Sequence, residues 1–326
     1  AQAILAELAP RLALGLTRVP MGRGIGFGDV PAFRGATALC RRHGVDVLHG
    51  HGAKGGAYGR LAAAALAWQG RAVAAFYTPH GGSLHYEPGT LEGSIFLGLE
   101  RQLGRLTDGL IFESAYSARI YSERVGKPVA AVRVIPNGLL TTDFRSHAPV
   151  PDAANFLFVG ELRHLKGVDV LLDALAQVKA VRPVSAVIVG DGPDAAEFKA
   201  RCASLGLDGD VTFAGAMPAA RAFQSGCCLV VPSRAESFPY IVLEAAAARL
   251  PLVATAVGGI GEIVPADLGE LVAPANVERL AARLHDALDR PEALRARAEQ
   301  LQSFVRQQFT VERMTDAILS FYDDRL

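Results

Sequence analysis

The chain has 326 residues, half of them hydrophobic, which is enough for one large domain or two of ordinary size. Its 33 basic and 33 acidic residues balance, which argues against a protein that binds nucleic acid through its overall charge. No apolar run approaches the roughly 20 residues that cross a bilayer, and four cysteines without a Cys-x-x-Cys spacing, of which Cys227 and Cys228 are predicted to be buried, fit a reducing cytosol.

Short apolar runs that suit β-strands alternate with helical patterns along the chain. Nine runs are predicted as strands: residues 45–49, 72–78, 109–113, 132–136, 156–160, 186–190, 211–215, 228–232 and 252–255. Several are almost entirely apolar, which is typical of parallel strands covered on both faces. Between them, apolar residues recur at helical spacing, as at Val168, Leu171, Leu172, Leu175 and Val178. This alternation predicts an α/β fold with parallel sheets.

Proline and turn residues interrupt this pattern twice. The first interruption is Pro136-Asn137-Gly138, and the second is His-Ala-Pro-Val-Pro-Asp at residues 147–152. Because such segments are typical of linkers, we place a domain boundary near residue 150, between two doubly wound domains of similar size. Ligands of such sheets bind outside the carboxyl ends of the strands, so the residues that follow each strand are the candidates for function.

A basic loop follows the strand predicted at residues 156–160. It contains Arg163, His164 and Lys166 and then opens a helix. Fixed positive charges beside the N-terminal amides of a helix suit a pyrophosphate group. The alternative is a solvated basic loop without a ligand.

Glycines follow two other strands. Gly190-Asp191-Gly192 ends one strand, where the absence of side chains would let a ligand approach the backbone. His80-Gly81-Gly82 follows another, so that His80 could touch a small ligand. The alternatives are an ordinary strand-to-helix turn and a structural histidine.

Two carboxylates flank an apolar segment after the strand at residues 228–232. Glu236 is predicted in the loop and Glu244 near the start of the next helix, with Ser237, Phe238 and Pro239 between them. Carboxylates accept hydrogen bonds from the vicinal hydroxyls of sugars. The pair could therefore hold two sugars, or a sugar and a ribose. Alternatively, one acid caps the helix and the other lies on its surface.

No metal site is predicted. His49 and His51 form no familiar ligand spacing with Cys40 or Asp46. The triplet Asp208-Gly209-Asp210 precedes a strand, and Asp-Gly favours a turn.

Six motifs together resemble glycosyltransferase family four, a large retaining group with the GT-B fold. The resemblance runs from about His49 to the C-terminus and rests on His80-Gly81-Gly82, Pro136-Asn137-Gly138, Lys166-Gly167, Gly190-Asp191-Gly192, Glu236-x7-Glu244 and Val257-Gly258-Gly259-Ile260. It implies two Rossmann-like domains that face a cleft. It assigns residues 1–150 to the acceptor side, 151–305 to nucleotide-sugar binding and 306–326 to a C-terminal helix that packs back on the first domain.

The resemblance also implies roles for individual residues. Lys166 and Arg163 would neutralise the diphosphate of a nucleotide-diphosphate-sugar, and His80 would lie over the sugar. Glu236 would hold the transferred sugar and Glu244 the ribose hydroxyls. The remaining donor-binding residues would be Gly81, Gly82, Gly190, Asp191, Gly192, Ser237, Phe238 and Pro239.

The activity implied is sugar transfer with retention of configuration, by front-face attack assisted by the leaving phosphate. The acceptor would be a saccharide or a lipid-linked molecule, in cell-surface polysaccharide or glycolipid synthesis. Since fixed cations replace a metal at the diphosphate, the resemblance implies a metal-independent enzyme with no cofactor besides the donor substrate.

The sequence departs from the family pattern in three places. Glu161 stands where the family usually has arginine, and Pro239, which lacks an N–H, stands where it has glycine. The family's first strand, Gly-Gly loop and helix are not matched, so the N-terminal domain is expected to be incomplete. The alternatives are therefore a non-catalytic or impaired sugar-nucleotide-binding protein and a sugar-nucleotide epimerase on the same fold. A nicotinamide dehydrogenase is disfavoured, because no dinucleotide fingerprint follows a strand.

The segment at residues 94–106 is amphipathic. Its apolar residues are Ile95, Phe96, Leu99, Leu103 and Leu106. We favour packing of these residues in the core, and the alternative is peripheral contact with a membrane surface. The expected location is the cytoplasm, with contact at the inner face of the membrane under the second interpretation.

Overall fold

The structure, a computed structural model, describes residue 5 and residues 8–22, 26–81, 86–146 and 149–326. It contains two compact units. Unit 1 comprises Ala1–Phe112, Arg119–Arg133 and Ser320–Leu326, and unit 2 comprises Glu113–Ala118 and Val134–Leu319. Each unit contains helices and a sheet with parallel strands, which confirms the predicted α/β class.

Unit 1 is built on a four-stranded sheet whose strands lie in chain order. The strands are β1 (Val47–His51), β2 (Ala74–Thr78), β3 (Gly109–Phe112) and β4 (Ala131–Val134). The helices are α1 (Asp29–His43), α2 (Gly52–Trp68), α3 (Leu91–Leu103) and α4 (Ala115–Arg124), of which α4 begins in unit 2. β1 and β2 are parallel, and their register pairs His51 with Thr78. The residues that follow β1 and β2 therefore start side by side at the carboxyl ends of these strands.

Unit 2 is built on a five-stranded parallel sheet in the order β7-β6-β5-β8-β9. The strands are β5 (Ala154–Val159), β6 (Ala186–Val189), β7 (Val211–Gly215), β8 (Gly226–Val231) and β9 (Leu252–Ala254). The helices are α5 (Val168–Lys179), α6 (Ala195–Ser204), α7 (Ala219–Ala222), α8 (Tyr240–Ala247), α9 (Ile260–Ile263), α10 (Val277–Asp289), α11 (Pro291–Gln308) and α12 (Val311–Asp323).

Helices cover both faces of the unit 2 sheet. Phe156 and Phe158 on β5 belong to one buried cluster, together with residues of α5 and α10. Leu157, between them, belongs to a second cluster, together with residues of α8 and α11. Because successive strand residues point to opposite faces, an apolar residue at every position means that both faces are buried. The doubly wound arrangement predicted from the sequence is therefore present in this unit.

Two predictions of burial were wrong for particular side chains. Cys228 is buried but Cys227 is exposed, because neighbouring residues on β8 face opposite ways. On α3, Leu103 is buried, whereas Ile95 and Leu99 are exposed. One stripe of this helix supplies its core contacts, and the rest of its apolar residues do not reach the core.

The division between the units falls earlier than the predicted boundary near residue 150. It lies between Arg133 and Val134, the last residue of β4, because the chain from Val134 to Leu319 makes its contacts in unit 2. Leu139 is buried there and forms a β-bridge with Thr310, and the Asn137 side chain donates to the carbonyl of Phe238. Residues 147 and 148 of the predicted linker lie outside the described residues.

The C-terminal segment forms two helices, α11 and α12, which are separated at Phe309 and Thr310. The last seven residues, Ser320–Leu326, belong to unit 1, where the rings of Phe321 and Tyr322 contact Phe76. In the described part of the chain, no helix is both long enough and apolar enough to cross a membrane.

Candidate functional site

The strand order of unit 2 places two candidate loops side by side. From β5 the chain proceeds to β6 and β7 on one side, and it returns to β8 and β9 on the other. The carboxyl ends of the strands at such a reversal form the usual ligand crevice of an α/β sheet. The loop after β5 carries Lys166, and the loop after β8 carries Glu236.

Lys166 and Glu236 form an ion pair across these loops. Nζ of Lys166 lies 2.7 Å from Oε1 of Glu236, with the two side chains 28% and 8% exposed. The buried Ser233 donates its hydroxyl to the same oxygen at 2.7 Å. Thr255 in turn donates to the carbonyl of Ser233 at 2.7 Å. One carboxylate oxygen is therefore held by a partner from each loop, and its charge is balanced by one partly accessible lysine.

Arg234 fastens the two loops together. Its backbone N–H donates to the carbonyl of Leu165 at 2.8 Å, and its guanidinium donates to the carbonyl of His164 at 2.6 Å. The guanidinium also makes two hydrogen bonds to Asp169 at the start of α5, at 2.7 and 2.6 Å. This arrangement holds the turn that bears Lys166 against the loop that bears Glu236.

Sequence reasoning missed Ser233, Arg234 and Asp169. Only their positions in the sequence could have indicated a role. Ser233 and Arg234 lie in the same strand-end loop as Glu236, and Asp169 lies three residues after Lys166.

Arg163 does not join the Lys166–Glu236 pair in the structure. Its guanidinium lies 3.6 Å from Glu161, and both side chains are more than half exposed. Glu161, which stands where the family usually has arginine, thus pairs with Arg163. An exposed pair of this kind is weak and can exchange partners readily. The assignment of Arg163 to the diphosphate stays a prediction.

The Gly190-Asp191-Gly192 segment packs against the loop after β5. A Cβ on Gly190 would lie 1.8 Å from the carbonyl oxygen of Gly160, and a Cβ on Gly192 would lie 2.5 Å from that of Leu162. The Asp191 carboxylate accepts a hydrogen bond from the N–H of Gly192 at 2.8 Å. Backbone packing accounts for these glycines, and their contact with a donor stays a prediction.

Two sequence motifs contact the segment between the two glutamates. The carbonyl of Ser237 accepts from the N–H of Gly259 at 2.7 Å, and that of Phe238 accepts from the Asn137 side chain at 3.3 Å. Phe238 is buried, and Pro239 occupies the N-cap position of α8. The turn at Asn137 and the glycine pair at Gly259 thus hold the backbone that follows Glu236.

Glu244 lies in α8 in a partly buried, acidic environment. Burial, followed by the nearby charge of Asp143, raises the pKa of its carboxyl. Burial also raises the pKa of Tyr240, one turn earlier, and the charge of Glu244 adds to this shift. A carboxylate in such surroundings is stabilised by hydrogen-bond donors, and vicinal hydroxyls would supply them.

Substitution of Gly258 is expected to disturb Glu236. Gly258 has φ of 59°, and a Cβ there would lie 1.8 Å from the carbonyl oxygen of Glu236. In Gly258→Ala, both the left-handed backbone and this overlap oppose the native geometry, so the Glu236 loop must shift. We expect a loss of stability greater than about 2 kcal/mol and a matching loss of ligand affinity, measured by urea denaturation and calorimetry.

Gly206→Ala is the matched control for this substitution. Gly206 has a similar φ of 66°, but a Cβ there meets no atom within 4 Å. Only the cost of the left-handed backbone remains, so we expect a loss of stability of about 1–2 kcal/mol and no change in ligand affinity. Equal effects of the two substitutions would show that contact with Glu236 is unimportant.

His80, in unit 1, belongs to a cluster of three histidines at the ends of β1 and β2. Its Nε2 lies 2.9 Å from Nδ1 of His51, and the His51 ring lies 4.1 Å from that of His49. The nitrogens of His49 lie 2.6 Å from the hydroxyl of Tyr322 and 2.8 Å from that of Thr78. Burial lowers the pKa of His80 and of His51, so the cluster favours neutral imidazoles.

The conformation of the His80 motif is described only in part. His80 has φ of 51° and Gly81 has φ of 78°, so the chain turns in the left-handed region directly after β2. Gly82, the third residue of the motif, lies outside the described residues. The contact of these residues with a donor sugar stays a prediction.

Acidification is expected to destabilise the protein through His49. Burial, followed by the charges of His51 and His80, lowers the pKa of His49 to about 3. An unfolded histidine has a pKa of about 6.5. Between these values the unfolded chain binds a proton that the folded chain does not. The free energy of unfolding therefore decreases as the pH is lowered, by about 1.4 kcal/mol per pH unit for one proton.

Urea denaturation from neutral pH to about pH 5 measures this slope. His49→Gln should make the slope shallower, with His51 and His80 still contributing, whereas His43→Gln, at the exposed end of α1, should retain the wild-type slope. Identical slopes for His49→Gln and wild type would contradict the assignment.

No group of three His, Cys, Asp or Glu side chains among the described residues is placed to hold one ion. Asp208-Gly209-Asp210 forms a turn, as predicted, and Asp210 pairs with Lys179 at 2.6 Å.

Comparison with protein families gives two matches. The family model described as "Glycosyl transferases group 1" matches residues 141–304, and that described as "Glycosyl transferase 4-like domain" matches residues 5–138.

Two curated relatives and one solved structure illustrate the similarity. Glycogen synthase from Mycobacterium tuberculosis is 29% identical over 77% of this chain, and the match spans 64% of the relative, less than two thirds of its length. D-inositol 3-phosphate glycosyltransferase from Acidothermus cellulolyticus is 29% identical over 86% of this chain and 67% of its own length. HepE from Anabaena, solved in complex with UDP-glucose, has a TM-score of 0.79 at 21% identity, covering 92% of this chain and 84% of that one. This structural likeness confirms the fold predicted from the sequence.

Proposed function

The chain belongs to the glycosyl transferases group 1, and from that premise we propose that it transfers the sugar of a nucleoside-diphosphate sugar to a saccharide or lipid-linked acceptor with retention of configuration. The observation that carries the proposal is the Lys166–Glu236 pair at the strand-order reversal of unit 2. A cation that suits phosphate and a carboxylate that suits hydroxyls are joined by a single hydrogen bond. A nucleotide sugar presents both groups within a few ångströms of each other.

The donor class is also supported by similarity. The HepE structure was solved with UDP-glucose. The family premise extends this class of donor to the present chain.

Lys166 and Glu236 are proposed to exchange partners when the donor binds. Without donor, each neutralises the other at 2.7 Å. The diphosphate then replaces Glu236 on the lysine, and the released carboxylate accepts from a sugar hydroxyl. Ser233 and Arg234 keep both groups in position during this exchange. The preformed pair lowers the cost of keeping a charged carboxylate 8% exposed before the donor arrives.

The chemistry follows from charge development on the leaving group. As the bond between the anomeric carbon and oxygen breaks, negative charge grows on the departing diphosphate, and Lys166 stabilises it. Arg163 is proposed to move from Glu161 and share this role. The departing phosphate oxygen then accepts the proton of the acceptor hydroxyl, which attacks from the same face. Fixed cations would make the reaction independent of metal.

The other predicted site residues complete the proposal. Glu244 accepts from the ribose hydroxyls, which would satisfy a carboxylate whose pKa is raised by burial. The backbone at Gly190-Asp191-Gly192 and at Ser237-Phe238-Pro239 lines the donor site, and His80 with Gly81 and Gly82 contacts the sugar. Synthesis of a cell-surface polysaccharide or glycolipid at the cytoplasmic side is the proposed setting.

Calorimetry with UDP-, GDP- and ADP-sugars in the presence of EDTA tests the donor class and metal independence together. We expect saturable binding of one of these nucleotide sugars and unchanged affinity without divalent metal. Turnover with saccharide acceptors, followed by NMR of the anomeric proton, tests retention. No binding to any nucleotide sugar would contradict the proposal.

The same assay separates the alternatives. Binding without turnover or donor hydrolysis would indicate a non-catalytic binder, which the missing N–H of Pro239 makes reasonable. Conversion of the sugar nucleotide in the absence of acceptor would indicate an epimerase.

A further inference from the structure

A large groove lies at the amino ends of the unit 1 strands and has a volume of about 670 Å³. Its lining includes the residues at which these strands begin: Asp46 precedes β1, Ala74 begins β2, and Asp108 precedes β3. Because β1, β2 and β3 are parallel, the groove is at the opposite end of the strands from the histidine cluster. It is therefore separate from the candidate site residues of unit 1.

Small side chains line much of this groove. Among the described residues, six alanines contribute: Ala63, Ala64 and Ala67 on α2, and Ala72, Ala74 and Ala75 where the chain enters β2. Since an alanine side chain extends only one carbon from the backbone, these positions leave room for a bulky side chain from outside.

Trp68 is exposed beside the groove. It is the last residue of α2, it follows the lining residue Ala67, and it is 95% exposed. Leu61, which is also exposed, and the lining residue Ala64 precede it at helical spacing, so these side chains share one face of α2. Exposed apolar groups that are rimmed by charges mark interaction surfaces, and tryptophan is prominent among the residues that anchor a partner.

The charged residues of the groove have both signs. They are Arg105, Arg325, Asp46 and Asp108. Asp108 accepts a hydrogen bond from the N–H of Ala75 at 2.7 Å, which fixes its carboxylate at the groove. Within the described part of the chain, the side chains of the two arginines and of Asp46 form no ion pair or hydrogen bond. Cations and anions thus line one groove without pairing with each other.

We propose that this groove is the contact surface of a symmetric dimer, in which Trp68 of each copy enters the groove of the other. The indole packs against the alanines and leaves water. The two arginines of each copy, Arg105 and Arg325, pair with the carboxylates of the other copy, Asp46 and Asp108.

Charge complementarity selects a second copy of this chain as the occupant. In a two-fold contact the same patch meets itself, so a patch with both signs offers every charge an opposite one, and each pairing occurs twice. A partner whose contact surface has a single sign would place like charges opposite two of the four groups. The inference goes beyond the proposed transfer reaction and does not depend on it.

Sedimentation equilibrium and tryptophan fluorescence test the dimer on the unaltered chain. Trp68 is the only tryptophan in the sequence, so the emission reports on this position alone. We expect a dimer, and over the same range of rising concentration we expect the emission to shift to shorter wavelength as the indole leaves water. A monomer at every concentration, or a dimer whose emission does not shift, would overturn the proposal.

Trp68→Ser is expected to raise the dissociation constant of the dimer by about tenfold or more, because it removes the anchoring side chain. Phe27→Ser is the matched control, since Phe27 is an aromatic residue that is 99% exposed and lies outside the groove. It should dimerise as the wild type does, and circular dichroism checks that both variants keep the fold. Equal dissociation constants for the two variants would show that Trp68 is not the anchor and would overturn the proposal.

Reversal of charge tests the pairing itself. Arg105→Glu/Arg325→Glu makes the groove acidic, and Asp46→Lys makes it more basic. Each variant alone should dimerise more weakly than the wild type, because like charges then meet across the two-fold axis. An equimolar mixture of the two should form a mixed dimer, whereas Arg313→Glu, on the exposed surface of α12, should dimerise as the wild type does. A mixture that is no more dimeric than its components would overturn the proposal.

Discussion

Lys166→Ala is expected to lower kcat/KM for the nucleotide-sugar donor by about 10²–10³-fold. The substitution removes the cation proposed to stabilise the leaving diphosphate, and it leaves Glu236 with the hydroxyl of Ser233 but without its counter-charge at 2.7 Å. Because the lysine acts most strongly when charge develops, kcat should fall more than donor affinity. Steady-state kinetics with calorimetry separates the two quantities.

Glu236→Gln tests the other half of the pair. It keeps the size of the side chain and can still accept from Ser233, but it cannot pair as an anion with Lys166. We expect a loss of sugar recognition, seen as weaker binding of the nucleotide sugar relative to the nucleoside diphosphate alone. Lys166 and Glu236 share a contact, so the double variant should lose less than the sum of the two single effects.

Lys179→Ala provides the control for these variants. Lys179 also forms a lysine–carboxylate pair, at 2.6 Å with Asp210, but it lies on α5 away from the strand-end loops. Its loss should leave kinetics unchanged. Full activity of Lys166→Ala, or an equal loss in Lys179→Ala, would refute the assigned role.

The strand positions were predictable because parallel strands buried on both faces are apolar at nearly every position. All nine predicted runs overlap an observed strand. The approach of Lys166 and Glu236 could be expected only in outline, since both follow strands. Their direct pairing required the order that places β5 beside β8, which no local pattern encodes.

Other features depend on packing that sequence patterns do not show. The role of Arg234 rests on the carbonyl of His164, 70 residues away along the chain. An amphipathic pattern on α3 did not reveal that its outer apolar row stays exposed. The proline-rich segment near residue 150 resembled a boundary, but the contacts of Leu139 and Asn137 place the division before it.

The buried ion pair of unit 1 was equally hidden in the sequence. Arg60 on α2 and Glu100 on α3 are 40 residues apart, and each looks like an ordinary helix-surface charge. In the structure they are 0% and 4% exposed, with 2.6 Å between Nη1 and Oε1. Arg60 also donates to the carbonyl of Gly56 and lies 3.9 Å from the centre of the Tyr77 ring.

Arg60→Leu is therefore expected to destabilise the protein by about 3–5 kcal/mol, because it leaves the Glu100 carboxylate buried without its counter-charge. Urea denaturation measures the change. Arg119→Leu, which breaks an exposed pair with Glu123, should cost no more than about 0.5 kcal/mol. Arg60→Leu/Glu100→Leu should recover much of the loss, since apolar side chains of similar volume can replace a buried pair. Two results would contradict this explanation. One is a loss of stability in Arg60→Leu as small as that in Arg119→Leu, and the other is a double variant as unstable as Arg60→Leu. Either would show that an unpaired Glu100 carboxylate is not the cause of the loss.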